Sequence, residues 1–195
     1  MKAPGHPGEV RIIGGQWKRS KLPVADAPGL RPTPDRVRET LFNWLGQDLS
    51  GWRCLDAFAG SGVLGFEAAS RGAAQVVLLE RDRKLVAALE QSRRRLEGEQ
   101  LRIECADALA WLARCPADSF ELIFLDPPFD STLLAPALAA ALPLVVPRGF
   151  VYVEGGQPLG LCALALPALD EGWAVHRQGK VGAVHFQLLQ RIDVA

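Results

Sequence analysis

Strand-like and helix-like segments alternate from residue 52 to residue 154, and this order restricts the fold more than any other feature of the sequence. Short β-branched runs are separated by longer amphipathic stretches, as in βαβ units. Because parallel strands need a crossover connection, the pattern predicts an α/β fold with a doubly wound, mostly parallel sheet. The predicted strands are Arg53–Phe58, Ala74–Glu80, Leu101–Cys105, Phe120–Leu125 and Phe150–Glu154, and the helices between them are Gly62–Arg71, Asp82–Glu97, Ala108–Arg114 and Thr132–Leu142.

The two ends of the chain predict smaller β-hairpins. Residues 9–24 combine a β-rich run, a Gly14-Gly15 turn signal and a return strand that begins at Trp17. Near the C-terminus, Ala174–Gln178 and Ala183–Gln190 alternate apolar and polar residues. We expect this second pair to form an antiparallel hairpin that closes one edge of the sheet.

The segment between the first hairpin and the sheet predicts a helix. Pro34 suits the first position of this helix, which would end near Leu45, and Thr33 suits the N-cap. We therefore expect two units, a hairpin arm over residues 1–33 and an α/β domain over residues 34–195.

Charge is unevenly distributed along a chain whose formal net charge is zero. Residues 1–38 hold eight basic and three acidic side chains, a net charge of +5 that the remainder must balance. A basic arm on an acidic body predicts contact with a polyanion, and a solvated basic tail is the alternative.

Several classes of protein do not fit the composition. No apolar run approaches the roughly 20 residues that span a bilayer, and the N-terminus has no apolar signal region. The four cysteines form no Cys-x-x-Cys pair and there are only three histidines, so we expect neither a metal site nor disulfides. These features predict a cytoplasmic protein without membrane contacts, and we expect a monomer.

A glycine-rich segment follows the first strand of the predicted sheet. Gly60-x-Gly62-x-x-Gly65 allows a sharp turn and a close approach to a ligand, and the next helix offers free N–H groups. The spacing also matches the dinucleotide fingerprint, so an NAD-dependent oxidoreductase is an alternative. Asp56 argues against it, because its carboxylate would repel a pyrophosphate but attract the cationic amine of S-adenosylmethionine (SAM).

Two more acidic residues follow predicted strands. Glu80 can accept hydrogen bonds from ribose hydroxyls. Asp107 can accept from the adenine amine or can cap the following helix. The predicted SAM contacts are Asp56, Phe58, Ala59, Gly60, Ser61, Gly62, Glu80, Arg81, Asp107, Ala108 and Asp126.

The fourth strand ends in the sequence Asp-Pro-Pro-Phe, which predicts the reaction. The two prolines fix φ and lack N–H donors, so the turn is stiff and rich in acceptors. Hydrogen bonds to Asp126 and to the Pro127 carbonyl would orient an exocyclic amine for in-line displacement at the sulfonium methyl. Asp126 or water would take the proton, and an aromatic ring would stack on the target base. The predicted catalytic residues are Asp126, Pro127, Pro128 and Phe129.

The glycine loop and the Asp-Pro-Pro-Phe turn resemble those of class I SAM-dependent amino-methyltransferases, which include DNA adenine, protein glutamine and RNA guanine enzymes. Longer strings over residues 11–24, 29–45, 55–73 and 125–129 closely resemble the RsmD family of bacterial 16S rRNA guanine-N2 methyltransferases. The resemblance implies a Rossmann-like fold with a seven-stranded sheet. It also implies transfer of one methyl group to a guanine N2 amine in the rRNA of the small ribosomal subunit or its assembly intermediate, with S-adenosylhomocysteine as product.

The resemblance gives the basic arm a role in holding the rRNA backbone, which adds affinity rather than sequence choice. The arm departs from the usual family sequence after Trp17, so its turn can differ. The predicted RNA contacts are Arg11, Lys18, Arg19, Lys21, Arg31, Thr33 and Arg36, with Arg38 as a further candidate. The alternatives are a methyltransferase acting on DNA adenine N6 or protein glutamine, and an RNA-binding assembly factor without chemistry.

Overall fold

The structure is a computed structural model, and it describes residues 8–24, 33–128, 131–156 and 172–192. The strands are β1 (Gly8–Arg11), β2 (Lys21–Val24), β3 (Arg53–Asp56), β4 (Gln75–Glu80), β5 (Leu101–Cys105), β6 (Phe120–Leu125), β7 (Val145–Gly155), β8 (Trp173–Val181) and β9 (Val184–Arg191). The helices are α1 (Asp35–Trp44), α2 (Val63–Ser70), α3 (Arg83–Arg95), α4 (Ala108–Leu112) and α5 (Leu134–Ala141), and a short 3-10 turn follows α5 at Leu142–Leu144.

Seven of the described strands form one sheet in the order β5-β4-β3-β6-β7-β9-β8. The five strands from β5 to β7 are parallel, and β9 pairs antiparallel with both β7 and β8. The chain starts in the middle of the sheet and builds outward in two directions, as in a doubly wound fold. The predicted fold class and the closing hairpin are therefore confirmed.

Alternate residues of each central strand pack on opposite faces of the sheet. Cys54 and Phe124 belong to the apolar cluster that includes α1, α2 and the N-terminal hairpin. Leu55 and Leu125 belong to the second cluster, which includes α4 and α5. Because the period of a strand is two residues, the side chain at position 126 lies on the same face as Phe124.

The N-terminal hairpin packs onto the α/β core. Its inward side chains, including Ile12 and Leu22, are buried in the same cluster as α1 and α2. The return strand begins at Lys21 rather than at Trp17, because the Gly-Gly pair contacts α2 instead of forming a tight turn. Gly15 has a φ of 72°, and an added Cβ would lie 1.9 Å from the Ser70 carbonyl oxygen. The division into two units at residue 33 stays a prediction.

A buried ion cluster joins the hairpin, α1 and α2. Glu67 on α2 is fully buried and pairs with Arg38 of α1 and with Arg71, which follows α2. The Arg38 guanidinium also donates to the carbonyl oxygens of Arg11 (2.8 Å) and Thr33 (3.1 Å). Arg38 has an exposed fraction of 0% and cannot reach an RNA phosphate, so its prediction as a contact to the rRNA backbone was wrong.

Among the other boundaries that differ from the sequence prediction, two have a visible structural cause. α1 begins at Asp35, and its N-cap is Pro34 with no side-chain cap bond, because the Thr33 hydroxyl is directed to Asp126 instead. The C-terminal hairpin turns over residues 182–183, where Gly182 has a φ of 59°, and not over the longer predicted segment.

We predict that Glu67→Ala lowers the free energy of unfolding by about 3–5 kcal/mol, because it leaves two buried arginines without their carboxylate. Urea denaturation at pH 7 measures the change. Glu90→Ala is the matched control, since it removes a partly exposed pair with Arg93 and should cost less than about 1 kcal/mol. Equal losses in the two variants would contradict a structural role for the cluster.

Candidate active site at the carboxyl edge of the sheet

The glycine loop and the proline turn follow neighbouring strands. β3 pairs with β6 in parallel register, with Asp56 opposite Phe124. Both strands therefore end at the same edge of the sheet, and the loops after Asp56 and after Leu125 lie side by side. This is the position at which open α/β sheets bind ligands.

Asp56 is buried beneath the glycine loop. Its Oδ2 accepts a hydrogen bond of 3.0 Å from the Gly65 backbone N–H in the first turn of α2. Burial, with a smaller contribution from the nearby Glu80 carboxylate, raises the pKa of Asp56 to about 7 against the lowering effect of the backbone donors. No basic side chain in the described part of the chain forms an ion pair with Asp56. A cationic ligand group would supply the missing positive charge.

The glycine loop and Glu80 form one hydrogen-bonded unit. Glu80 Oε2 accepts from the Gly60 N–H at 3.0 Å, and Oε1 accepts from the Asp82 N–H at 2.9 Å. Each carboxylate oxygen keeps a further lone pair, so Glu80 can still accept from ribose hydroxyls. Gly62 has a φ of 76°, and a Cβ there would lie 2.4 Å from Leu89 of α3. The loop therefore requires glycine at this position.

The other predicted SAM contacts lie along the same edge. Asp107 is exposed and caps α4, with its Oδ1 accepting from the Ala110 N–H at 2.9 Å. The capping alternative is thus correct, and an additional bond to adenine stays a prediction. Arg81 is exposed and Phe58 is half-buried. The remaining small side chains are buried, namely Ala59, Ser61 and Ala108.

The turn after β6 is held by its own backbone. Asp126 is partly exposed, Pro127 is buried and Pro128 is exposed. The Pro128 carbonyl oxygen accepts from the backbone N–H of Ser131 (2.9 Å) and from its hydroxyl (2.6 Å), which closes the turn. The fourth predicted catalytic residue, Phe129, lies outside the described residues.

A second acidic side chain lies beside Asp126 and was missed in the sequence analysis. β6 and β7 pair in parallel with Leu125 opposite Val153, so Asp126 is adjacent to Glu154 on the same face. Glu154 has an exposed fraction of 3%, and its Oε2 accepts from the Tyr152 hydroxyl at 2.8 Å. The sequence does contain a signal for Glu154, because it is an acidic residue at the end of an apolar strand. Only the order of the strands in the sheet shows that its neighbour is Asp126.

Thr33 connects α1 to this acidic pair. It is buried, and its hydroxyl is 3.5 Å from Asp126 Oδ2 and also neighbours the Glu154 carboxylate. Burial and the Glu154 charge raise the pKa of Asp126 well above its usual range, and burial raises that of Glu154. Thr33, predicted as an RNA contact, therefore lies at the site itself with its hydroxyl facing the carboxylates.

Two of the predicted RNA contacts are placed away from the catalytic edge. Lys18 and Arg19 lie in the hairpin turn, which packs on the C-terminal end of α2. α2 has eight residues, so this turn is about 12 Å farther from the glycine loop than the start of the helix. Arg11, Lys21 and Arg36 are exposed, and the first two pair with Asp35 and Glu9 respectively. Arg31 lies outside the described residues.

The structure adds α3 to this basic surface. The Arg95 guanidinium donates to the Lys21 carbonyl oxygen, which brings the exposed Arg94 and Arg95 beside β2. Within residues 8–24, 33–128, 131–156 and 172–192, no helix is long and apolar enough to cross a membrane, and no acidic, histidine and cysteine cluster could hold a metal ion.

Comparison with known proteins is consistent with this site. The family model described as "Conserved hypothetical protein 95" matches residues 10–190. Ribosomal RNA small subunit methyltransferase D of Escherichia coli is 42% identical over 195 residues, covering 98% of this chain and 96% of that protein. The chain belongs to the ribosomal RNA small subunit methyltransferase D family. The same-named protein of Haemophilus influenzae is 38% identical and covers 97% of the chain.

Solved structures agree with the methyltransferase D family in fold. An E. coli structure matches with a TM-score of 0.80 and 38% identity, over 95% of this chain and 99% of that one. The resemblance to RsmD proteins is therefore confirmed, and the protein is a SAM-dependent methyltransferase of this family. Family membership favours methyl transfer over the NAD-dependent and non-catalytic alternatives.

We predict that Asp56→Asn reduces the pH dependence of stability. The pKa of Asp56 is raised to about 7 in the folded protein, so its proton is retained on folding and the stability it confers is lost as pH rises from about 4 to about 7. Between pH 5 and pH 8, unfolding free energy should fall by roughly 1–3 kcal/mol more in the parent than in the variant. Urea denaturation at several pH values measures this difference, and parallel curves would contradict the raised pKa.

Proposed function

We propose that this protein transfers a methyl group from SAM to the exocyclic N2 amine of one guanine in 16S rRNA of the small ribosomal subunit. The observation that carries the proposal is the pairing of β3 with β6, which brings the glycine loop and the proline turn to one edge of the sheet. The names and coverage of the curated relatives support ribosomal RNA as the substrate class.

The residues of the first loop fit SAM. When bound, SAM supplies an electrophilic methyl group on a positively charged sulfur. Asp56 would bind its cationic amine, because this buried carboxylate lacks a basic partner among the described residues. Glu80 would accept from the ribose hydroxyls while it holds the loop through Gly60.

The residues of the second loop fit an amine with two N–H donors. Asp126 and the Pro127 carbonyl would accept these hydrogens and fix the direction of the nitrogen lone pair. The nitrogen gains positive charge during transfer, and the Asp126 carboxylate would stabilise it. Phe129 would provide a stacking surface for the extruded base.

The position of the basic residues supports an extended RNA substrate. Lys18 and Arg19 lie at the far end of α2 from the glycine loop, so one nucleotide cannot contact both regions. Lys21 and the neighbouring Arg95 continue the basic surface onto α3. Such side chains would hold phosphates of the folded rRNA, as expected for a substrate the size of the subunit or its assembly intermediate. We further propose that the protein acts as a monomer in the cytoplasm and releases S-adenosylhomocysteine.

We predict that Asp126→Ala abolishes methyl transfer and lowers SAM affinity far less than Asp56→Ala does, because Asp126 faces the amine rather than the amino-acid end of the donor. The assay is transfer of labelled methyl to small subunits from cells that lack this enzyme, with calorimetry for SAM binding. Asp56→Ala is the matched variant, and its main defect should be a loss of SAM affinity. Normal transfer by Asp126→Ala would refute the assigned role.

We predict that replacing Arg11, Arg19 and Lys21 together by Gln weakens subunit binding and flattens its salt dependence. In a plot of the logarithm of the binding constant against the logarithm of the salt concentration, each lost phosphate contact should reduce the size of the slope by about 0.7–0.9. Binding at several salt concentrations gives the slope. Gln replacements of Arg177 and Lys180, both exposed on the edge strand β8, are the control and should leave it unchanged. An unchanged slope in the triple variant would remove the arm from the RNA interface.

A further inference from the structure

Two carboxylates lie at the end of β6 and β7, and no basic side chain of the described residues pairs with either. Asp126 and Glu154 each follow by one residue the last paired positions of two parallel strands, Leu125 and Val153, so they lie side by side on the same face of the sheet. Their polar neighbours among the described residues are the Thr33 hydroxyl, 3.5 Å from Asp126 Oδ2 and also near Glu154, and the Tyr152 hydroxyl, which donates to Glu154 at 2.8 Å. The charge of Asp56 acts on Asp126 from the next strand.

The described residues do not neutralise this pair. None of the arginines, lysines or histidines among them forms an ion pair with either carboxylate. Adjacent carboxylates in a buried setting cannot both ionise freely, and such a pair binds one proton jointly. Burial and mutual repulsion accordingly raise the pKa of Asp126, and burial that of Glu154.

We propose that Glu154 is a positioning residue that shares with Asp126 the proton released by the target amine, so that the pair acts as the proton acceptor. This inference rests on the proposed function, because it requires an amine held against Asp126. The Thr33 hydroxyl is 3.5 Å from Asp126 Oδ2 and also neighbours Glu154, so it can relay the proton from Asp126 to Glu154.

The charges of the reacting groups determine when the Asp126–Glu154 pair takes up the proton. Before transfer, the positive sulfonium favours the doubly ionised pair. The nitrogen lone pair then forms the bond to the methyl carbon, the electrons of the carbon–sulfur bond remain on sulfur, and the positive charge moves to nitrogen. The amine releases one proton to Asp126, and the pair changes from two negative charges to one. Water removes the shared proton after the product leaves.

The first test is the pH profile of single-turnover transfer to unmethylated small subunits. Activity requires the ionised pair, so it rises with pH, and the midpoint in the parent lies above the ordinary aspartate range. Glu154→Gln removes the neighbouring charge, so the midpoint should move to lower pH by about one unit or more. The plateau rate should fall roughly tenfold or more, because Asp126 alone is the weaker base.

Controls separate this role from a structural one. Glu99→Gln, an exposed carboxylate beyond α3, should change neither the midpoint nor the plateau. Glu154→Asp keeps a carboxylate and should retain a raised midpoint. A lower plateau with an unmoved midpoint in a folded Glu154→Gln protein would overturn the proposal. Failure of the parent to methylate any subunit would instead overturn the proposed function.

The second test needs no variant and no RNA. Calorimetry in buffers of different ionisation enthalpy measures the protons released when the unmodified protein binds SAM or S-adenosylhomocysteine. Both ligands carry the amine that faces Asp56, and only SAM carries the sulfonium. We expect SAM to release more protons than S-adenosylhomocysteine near pH 7, because the sulfonium favours the ionised pair. Equal release would overturn the proposal.

Discussion

The buried cluster of Glu67, Arg38 and Arg71 connects the peripheral parts of the molecule to its catalytic edge. Arg38 alone contacts Glu67 on α2 and the backbone oxygens of Arg11 and Thr33. Because three elements meet at one guanidinium, the hairpin and the start of α1 cannot shift independently of α2. This restraint extends to the candidate site, because Thr33 carries the hydroxyl that contacts Asp126. The charge cluster therefore helps to hold in place a hydroxyl that contacts the Asp126 carboxylate.

Strand periodicity explains why the acidic groups gather. Asp56, Asp126 and Glu154 end three adjacent strands, and each lies on the face that carries α1 and α2. Without a ligand this arrangement opposes folding, because the buried carboxylates must retain protons or remain unpaired. A cationic donor relieves the repulsion, so the charge that destabilises the free site also favours SAM over a neutral analogue.

The sequence predicted what depends on short-range pattern. Strand β5 and β6 boundaries, the glycine loop and the proline turn follow from local periodicity and from Gly and Pro chemistry. The sequence did not predict a role for Glu154. The order of the strands in the sheet places Glu154 beside Asp126, and the alternation of strands and helices along the chain does not specify that order. The sequence placed Arg38 in the RNA-binding arm because of the surrounding positive charge. Yet Arg38 lies on the stripe of α1 that includes Leu41 and Phe42, and its partner Glu67 is 29 residues away in the chain.

The separation of charge within a neutral chain has a mechanistic consequence. In the proposed function, the carboxylates at this edge disfavour the approach of phosphates, so the RNA backbone stays outside when the target base enters the site. Exposed basic side chains lie on the hairpin turn, on Lys21 and on the end of α3, where they would hold that backbone. A guanine would then reach Asp126 by leaving its stack while its phosphates stay outside. Selection of one guanine would depend on an RNA shape that fits both regions at once, rather than on base contacts alone.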